Sequence, residues 1–310
     1  MNKFAFTYLI KQNKKTWDEF EISLNLLYKN LLSRLNCKYK VLIFCEGSPT
    51  SNANALIKFL LKKKINITLK KINLKNYVGR KSSEKYINNF PHVSDCTKSF
   101  SLGYRDMCKF FTKDVFDDDL FADTEYFIRI DSDSFFLDVK KNFIINLQKI
   151  KADYAYLNGT IQVEDKGVTL GFGKCLFQFC KENNINKDFF NICQEATLRP
   201  HIYYTNFEVI KLKWMQKEIN QRLLDHIISY KGIYNYRWGD ALIRYYTIKL
   251  IGTKILSLNG CLYKHSSIYD SRNFLKRMMS KIYCKIKFKY DGNKYEIKPS
   301  RLDKFFLNMN

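Results

Sequence analysis

The sequence predicts an α/β protein built on a single Rossmann-like sheet, mixed but mostly parallel, flanked by helices. Three observations carry that prediction. Residues 4–10 (FAFTYLI) and 39–45 (YKVLIFC) are apolar runs of strand length. Between them Phe20, Leu24, Leu27, Leu31 and Leu35 recur at helical spacing, which gives the strand, helix, strand opening of a parallel unit. A third run, residues 126–130 (YFIRI), is apolar on both alternating faces except at Arg129, as expected of a strand covered on both sides, and it ends in Asp131 and Asp133.

In chain order, Thr16 with Glu19 three residues on has the form of a capping box for the first helix. Glu46, Gly47, Ser48 and Pro49 break the second strand, and Ser51 or Asn52 caps a second helix through Leu56, Phe59, Leu60 and Leu61. Residues 65–74 alternate like a half-buried strand, and the polar, lysine- and serine-rich residues 75–97 read as an excursion. Residues 99–111 read as a helix with Tyr104, Met107, Cys108 and Phe111 on one face. The acidic run 117–119 reads as a solvated turn or helix cap. After the aspartates come a helix over 140–150, a strand at 154–157 (YAYL) and a helix over 170–182. A strand over 202–210 (IYYTNFEVI), a helix over 213–229 and another after YRWGDA follow, with a short strand at 255–258. From residue 272 onward lysine and arginine interleave with aromatic and aliphatic residues. The chain therefore divides into an α/β domain, 1–271, and a basic amphipathic extension, 272–310.

A 310-residue chain with 46% hydrophobic residues can bury a sizeable core, so a disordered or fibrous class is excluded. The formal charge of +23 favours an anionic partner: a nucleotide, an anionic membrane surface met through the basic tail, or nucleic acid. Nine cysteines, without metal spacing, argue for free thiols, and Cys175 and Cys180 for core positions. No apolar run approaches the ~20 residues that span a bilayer. With the first strand starting almost at the initiator, the expectation is a cytoplasmic protein, soluble or peripherally membrane-associated.

Two carboxylates at a strand's carboxyl edge repel each other unless a cation lies between them, and that edge is where open α/β sheets place ligands. An oxygen pair suits Mg²⁺ or Mn²⁺ carrying a substrate diphosphate. Glu208, inside an apolar strand-like run, needs a partner or a chemical role, because burying an unpaired carboxylate costs several kcal/mol at least.

Three blocks in order, LGYRDMCKFF…YFIRIDSD, YYTNFEV and YRWGDA…YKHSS, resemble the fungal α-1,2-mannosyltransferases that extend mannan. The likeness spans residues 99–269, with an echo at FTYLIKQN near the start. It implies a GT-A fold, a GDP-mannose donor, Mn²⁺ (or Mg²⁺) and transfer to a glycan acceptor with retention of configuration. It further implies Asp133, Asp131 and His265 as metal ligands and Glu208 as the nucleophile or the stabilising carboxylate. Asp240 and Tyr104 would act beside the reacting sugar, and Tyr8, Lys11, Arg129, Asp131, Glu164 and Arg237 would bind the donor; the place of Arg129 on a strand also suits a structural ion pair, and Arg237 equally suits a salt bridge to Asp240. The family's usual Glu-Pro-Asp is Asp131-Ser132-Asp133 here. The same fold with another nucleotide sugar, and a basic nucleic-acid-binding protein, are the alternatives; the second has no need of this acidic constellation.

Overall fold

The computed structural model describes residues 2–74, 101–185 and 188–268, with two further short strands, Tyr290–Asp291 and Lys294–Tyr295. The excursion expected at 75–97 and nearly all of the basic extension lie outside the described residues.

The chain opens with strand β1 (Asn2–Ile10), helix α1 (Lys14–Asn30), strand β2 (Tyr39–Cys45), helix α2 (Ser51–Lys62) and strand β3 (Ile67–Lys71). Helix α3 (Leu102–Thr112) leads into β4 (Thr124–Ile130), β5 (Ser134–Val139) and helix α4 (Lys141–Gln148). Then come β6 (Tyr154–Leu157), β7 (Ile161–Val163), helices α5 (Phe172–Glu182) and α6 (Phe189–Leu198), and β8 (His201–Tyr203). The remainder is β9 (Phe207–Lys211), helices α7 (Leu212–Met215), α8 (Glu218–Ser229), α9 (Gly232–Tyr236) and α10 (Asp240–Ile251), and strands β10 (Ile255–Leu258) and β11 (Cys261–His265).

Seven strands form the main sheet in the order β10-β6-β9-β4-β1-β2-β3. Every neighbouring pair is parallel except those made by β9, which runs antiparallel to both β4 and β6. The mixed, mostly parallel sheet expected from the sequence is the one observed. Alternation along β1 separates two cores: Phe4, Phe6 and Tyr8 face Trp17, Phe20 and Leu24 of α1, while Ala5 faces the side that packs against α3, α5 and α10. Each fully buried Phe contributes about 1.5–3 kcal/mol, so rings such as Phe4, Phe6, Phe20, Phe44 and Phe127, all at 0% exposure, together outweigh any single cap or surface ion pair. No helix among the described residues is long and apolar enough to cross a membrane.

Three local expectations are corrected. Helix α1 starts two residues before Thr16, so its cap is Asn13, whose side chain accepts the Thr16 amide at 2.8 Å; Glu19 instead accepts Ser267 Oγ and the Ile268 amide. Thr50, rather than Ser51 or Asn52, caps α2. The run 202–210 is not one strand: Tyr204, Thr205 and Asn206 break it, because their polar groups bind three different elements of the site and cannot remain in a ladder.

Helix α9 is placed by a close approach. A Cβ at Gly232 would fall 2.2 Å from the ring of Trp238, which is itself buried and donates its indole N–H to Leu170 O at 3.0 Å. Gly232→Ala must therefore push aside a ring that sits two residues before Asp240. We expect a loss of about 1–3 kcal/mol in urea unfolding, the usual cost of overpacking, together with reduced activity; a midpoint equal to wild type would show that the ring can yield.

Candidate active site

Strand β4 ends at Ile130, and Asp131, Ser132 and Asp133 form the turn into β5. The turn is held from within the protein. Asp131 N–H donates to Asn206 O at 3.1 Å, Ser134 N–H to Asp131 O at 3.1 Å, and Ser134 Oγ to Asn206 O at 3.3 Å. Strand β5 pairs antiparallel with β11 in a small second sheet, with Ser134 opposite His265, and this register carries a histidine from far along the chain to the aspartates. His265 Nε2 lies 3.1 Å from Asp133 Oδ1 and 3.6 Å from Asp131 Oδ2.

One ligand atom from each of Asp131, Asp133 and His265 fits within 4.8 Å of the others, and all three side chains are partly exposed. The donor set of two carboxylate oxygens and one imidazole nitrogen fits a single Mn²⁺-like cation. The three side chains also form an ion-pair cluster among themselves. Burial alone would lower the His265 pKa, but hydrogen bonds and charge from Asp131 and Asp133 push it up to about 11. Burial would raise Asp131, but Arg129 and His265 hold it down at about 2.

Beneath the triad lies a buried charge network. Arg129 donates Nε–H to Asp131 Oδ1 at 2.9 Å and Nη1–H to Asp240 Oδ2, and its guanidinium stacks 3.8 Å from the centre of the Phe111 ring. Thr205 Oγ1 donates to the same Asp240 oxygen at 2.8 Å. Directly opposite Arg129 across β4 and β9 stands Glu208, which accepts Arg244 Nε–H at 3.1 Å, while Arg244 Nη2–H donates to Phe111 O at 2.9 Å. Asp240 and Arg244 are one turn apart on α10, so one helix face lays a carboxylate over Arg129 and a guanidinium over Glu208. The segment 204–208 thus reaches each part of the site in turn: Tyr204 to His265, Thr205 to Asp240, Asn206 to the aspartate turn and Glu208 to Arg244.

The rim is formed by Tyr104, Arg237, Glu164 and Lys11. Arg237, at the end of α9, adopts φ 66°, a left-handed conformation that costs a residue with a Cβ about 1–3 kcal/mol. Held there, its guanidinium lies 5.7 Å from the Tyr104 ring centre and 3.4 Å from Glu164 Oε1. The Cys108 thiol, burial and the Asp240 charge all push the Tyr104 hydroxyl pKa upward, so it remains a neutral phenol. Lys11, just past the carboxyl end of β1, is partly exposed, and a Cβ at Gly103 would lie 3.9 Å from its Nζ.

Two of the expected site residues are fully buried. Tyr8 is 0% exposed, packs edge-on against Phe20 at 5.0 Å, and shares a hydrogen bond with Ser23, which donates to Ser134 O. It props the aspartate turn from the opposite core and cannot touch a donor. Glu208 is also 0% exposed and is paired with Arg244, itself 1% exposed, so the structure shows it as half of a buried ion pair. The physical reason is its register: opposite Arg129 and Tyr156 it sits mid-sheet between β4 and β6. The sequence assigns no role to Tyr204 or Arg244 and shows Thr205 only as a polar break in an apolar run. Arg244 does carry a signal there, as the charge four residues after Asp240 on the same helix.

No family model matches the chain. Probable mannosyltransferase KTR3 of Saccharomyces cerevisiae is 27% identical over 154 residues, 46% of this chain and 36% of the relative, so the match spans about a third of the relative's length. Core-mannan synthase A (CmsA/Ktr4) from Aspergillus fumigatus, solved in its Mn/GDP form, superposes with a TM-score of 0.67 at 15% identity, covering 86% of this chain and 75% of that one. Ktr4p from S. cerevisiae in complex with GDP gives 0.68 at 17% identity, covering 86% and 71%. The chain has a GT-A type glycosyltransferase fold, and its likeness to the fungal mannosyltransferases, first read in its motifs, is found again in both sequence and fold.

Proposed function

We propose that this chain is a metal-dependent glycosyltransferase that transfers mannose from GDP-mannose to a glycan hydroxyl, with retention of configuration and an α-1,2 linkage. The observation that carries the reading is the convergence of Asp131, Asp133 and His265 at the carboxyl edge of β4, next to the Arg129–Asp240 pair. The relatives' Mn and GDP support it. Asp131, Asp133 and His265 would hold the cation. When bound, a divalent cation neutralises the diphosphate and stabilises the leaving nucleotide.

The protein groups divide the remaining work. To present a lone pair to a cation, Nε2 of His265, which faces both carboxylates, must be unprotonated. Arg129 keeps Asp131 ionised, so the turn stays anionic when Nε2 is bare. Tyr104 and Arg237 at the rim offer a hydroxyl and a guanidinium to the donor, and Lys11 adds a cation on the β1 side. Glu208 acts from beneath as a positioning residue, by holding Arg244 and with it the first turn of α10 that carries Asp240. Retention and the linkage rest on the resemblance alone.

The test is calorimetry with GDP-mannose, followed by product analysis with mannoside acceptors. Donor binding should require Mn²⁺ or Mg²⁺ and vanish in chelator, and proton NMR of the product should show an α linkage to O2. Equal binding in chelator would remove the metal. Preference for UDP-glucose or UDP-N-acetylglucosamine would keep the fold and replace the donor.

A further inference from the structure

We propose that Tyr204 is a positioning residue of the cation site: its hydroxyl accepts the Nδ1–H of His265 and so keeps Nε2 turned toward Asp131 and Asp133. The inference rests on the cation site proposed above.

The tyrosine hydroxyl lies 3.0 Å from His265 Nδ1, and the two rings meet edge-on at 86° with centres 5.4 Å apart. The opposite nitrogen is the one that faces the carboxylates, at 3.1 Å from Asp133 and 3.6 Å from Asp131. An imidazole can bind a cation through Nε2 only if that nitrogen is bare, so its single proton must then sit on Nδ1. Tyr204 supplies the acceptor for that proton, and among the described residues it is the partner recorded for Nδ1.

Its own placement is fixed by neighbours other than Asp131, Asp133 and His265. The Tyr204 backbone N–H donates to Thr160 O at 3.1 Å, and Thr205, the next residue, is tied to Asp240. The hydroxyl therefore couples the imidazole to the segment that also carries the Asp240 and Glu208 contacts. Packing of the ring alone would fill the same space but would leave the imidazole free to rotate about its Cβ–Cγ bond, exchanging the nitrogen toward the carboxylates for a carbon. Partners that orient a metal-binding histidine typically contribute 10–100-fold in affinity.

The test is a cycle of Mn²⁺ affinities, measured on the full chain with GDP present by the electron paramagnetic resonance of free Mn²⁺. Tyr204→Phe keeps the ring and removes the oxygen. It should weaken Mn²⁺ binding about 10-fold or more while the melting temperature of the metal-free protein stays within a few degrees of wild type. In a His265→Ala background the same substitution should have no further effect, because its partner is gone; a role in packing alone would persist there. Unchanged affinity of Tyr204→Phe, or an equal loss in both backgrounds, would overturn the proposal. Wild-type protein that binds no Mn²⁺ would overturn the cation site itself, a result distinct from a wild type that binds and a variant that binds equally well.

Discussion

Asp133→Asn is expected to reduce transferase turnover by at least about 10²–10³-fold, the loss seen when one group that offsets charge in a transition state is removed. The carboxylate is one of two at the proposed cation site, and His265 Nε2 lies 3.1 Å from it. An amide keeps the shape and one oxygen but loses the charge, so the diphosphate of the donor would be left partly uncompensated. The fold should hardly respond, because the side chain and its partner His265 are each 22% exposed. Asp131→Asn should behave differently. Asp131 also accepts the Nε–H of Arg129, a guanidinium only 3% exposed, so its loss leaves a buried cation with one partner fewer and should lower stability as well as turnover. Paired measurements of turnover and of denaturant midpoint on both variants separate the roles. Full turnover of Asp133→Asn in excess chelator would remove the cation from the reaction.

The distinction between these aspartates marks where sequence reading stops. Apolar runs such as FAFTYLI and YFIRI announce strands because burial on both faces leaves no room for alternation, and a strand edge with two carboxylates announces a ligand site. Direction and register are not written locally. β9 runs antiparallel to both β4 and β6, and that register places Glu208 opposite Arg129. The β5–β11 register is equally non-local, and without it His265 is an ordinary polar residue after a tyrosine. Tyr8 was misread for a related reason: a hydroxyl in an apolar run can face a ligand or a buried serine, and only the packing of α1 against β1 shows that Ser23 satisfies it. Arg244 was within reach, since a charge four residues after Asp240 on a helix must lie on the same face and look for a partner there.

That partner makes Arg244→Met the substitution with the largest expected effect on stability. The pair it breaks is fully enclosed, with side-chain exposures of 1% for Arg244 and 0% for Glu208. Removing one member of such a pair leaves a buried carboxylate uncompensated, which costs about 3–5 kcal/mol, or a drop of roughly 5–15 °C in melting temperature for a chain of this size. The loss should depend on pH with a definite sign. Burial already holds Glu208 above the usual carboxyl range, against the lowering effect of Arg244 and Arg129, and without Arg244 it must rise further. An acid whose folded pKa exceeds its unfolded one favours the folded state only while it is protonated. Stability therefore falls as pH rises from the unfolded value, about 4.3, through the folded one. Arg244→Met should accordingly be closer to wild type at pH 5 than at pH 8. Adding Glu208→Gln should recover most of the loss and abolish its pH dependence, since a neutral amide has no charge to bury. The same double substitution bears on mechanism, because a protein that regains stability, Mn²⁺ and GDP binding but not turnover would return Glu208 to the chemical step, whereas recovered turnover would confine it to holding α10 in place. A melting temperature for Arg244→Met that is independent of pH between 5 and 8 would show that the buried carboxylate finds another cation, with Arg129, on the strand beside it, as the nearest candidate.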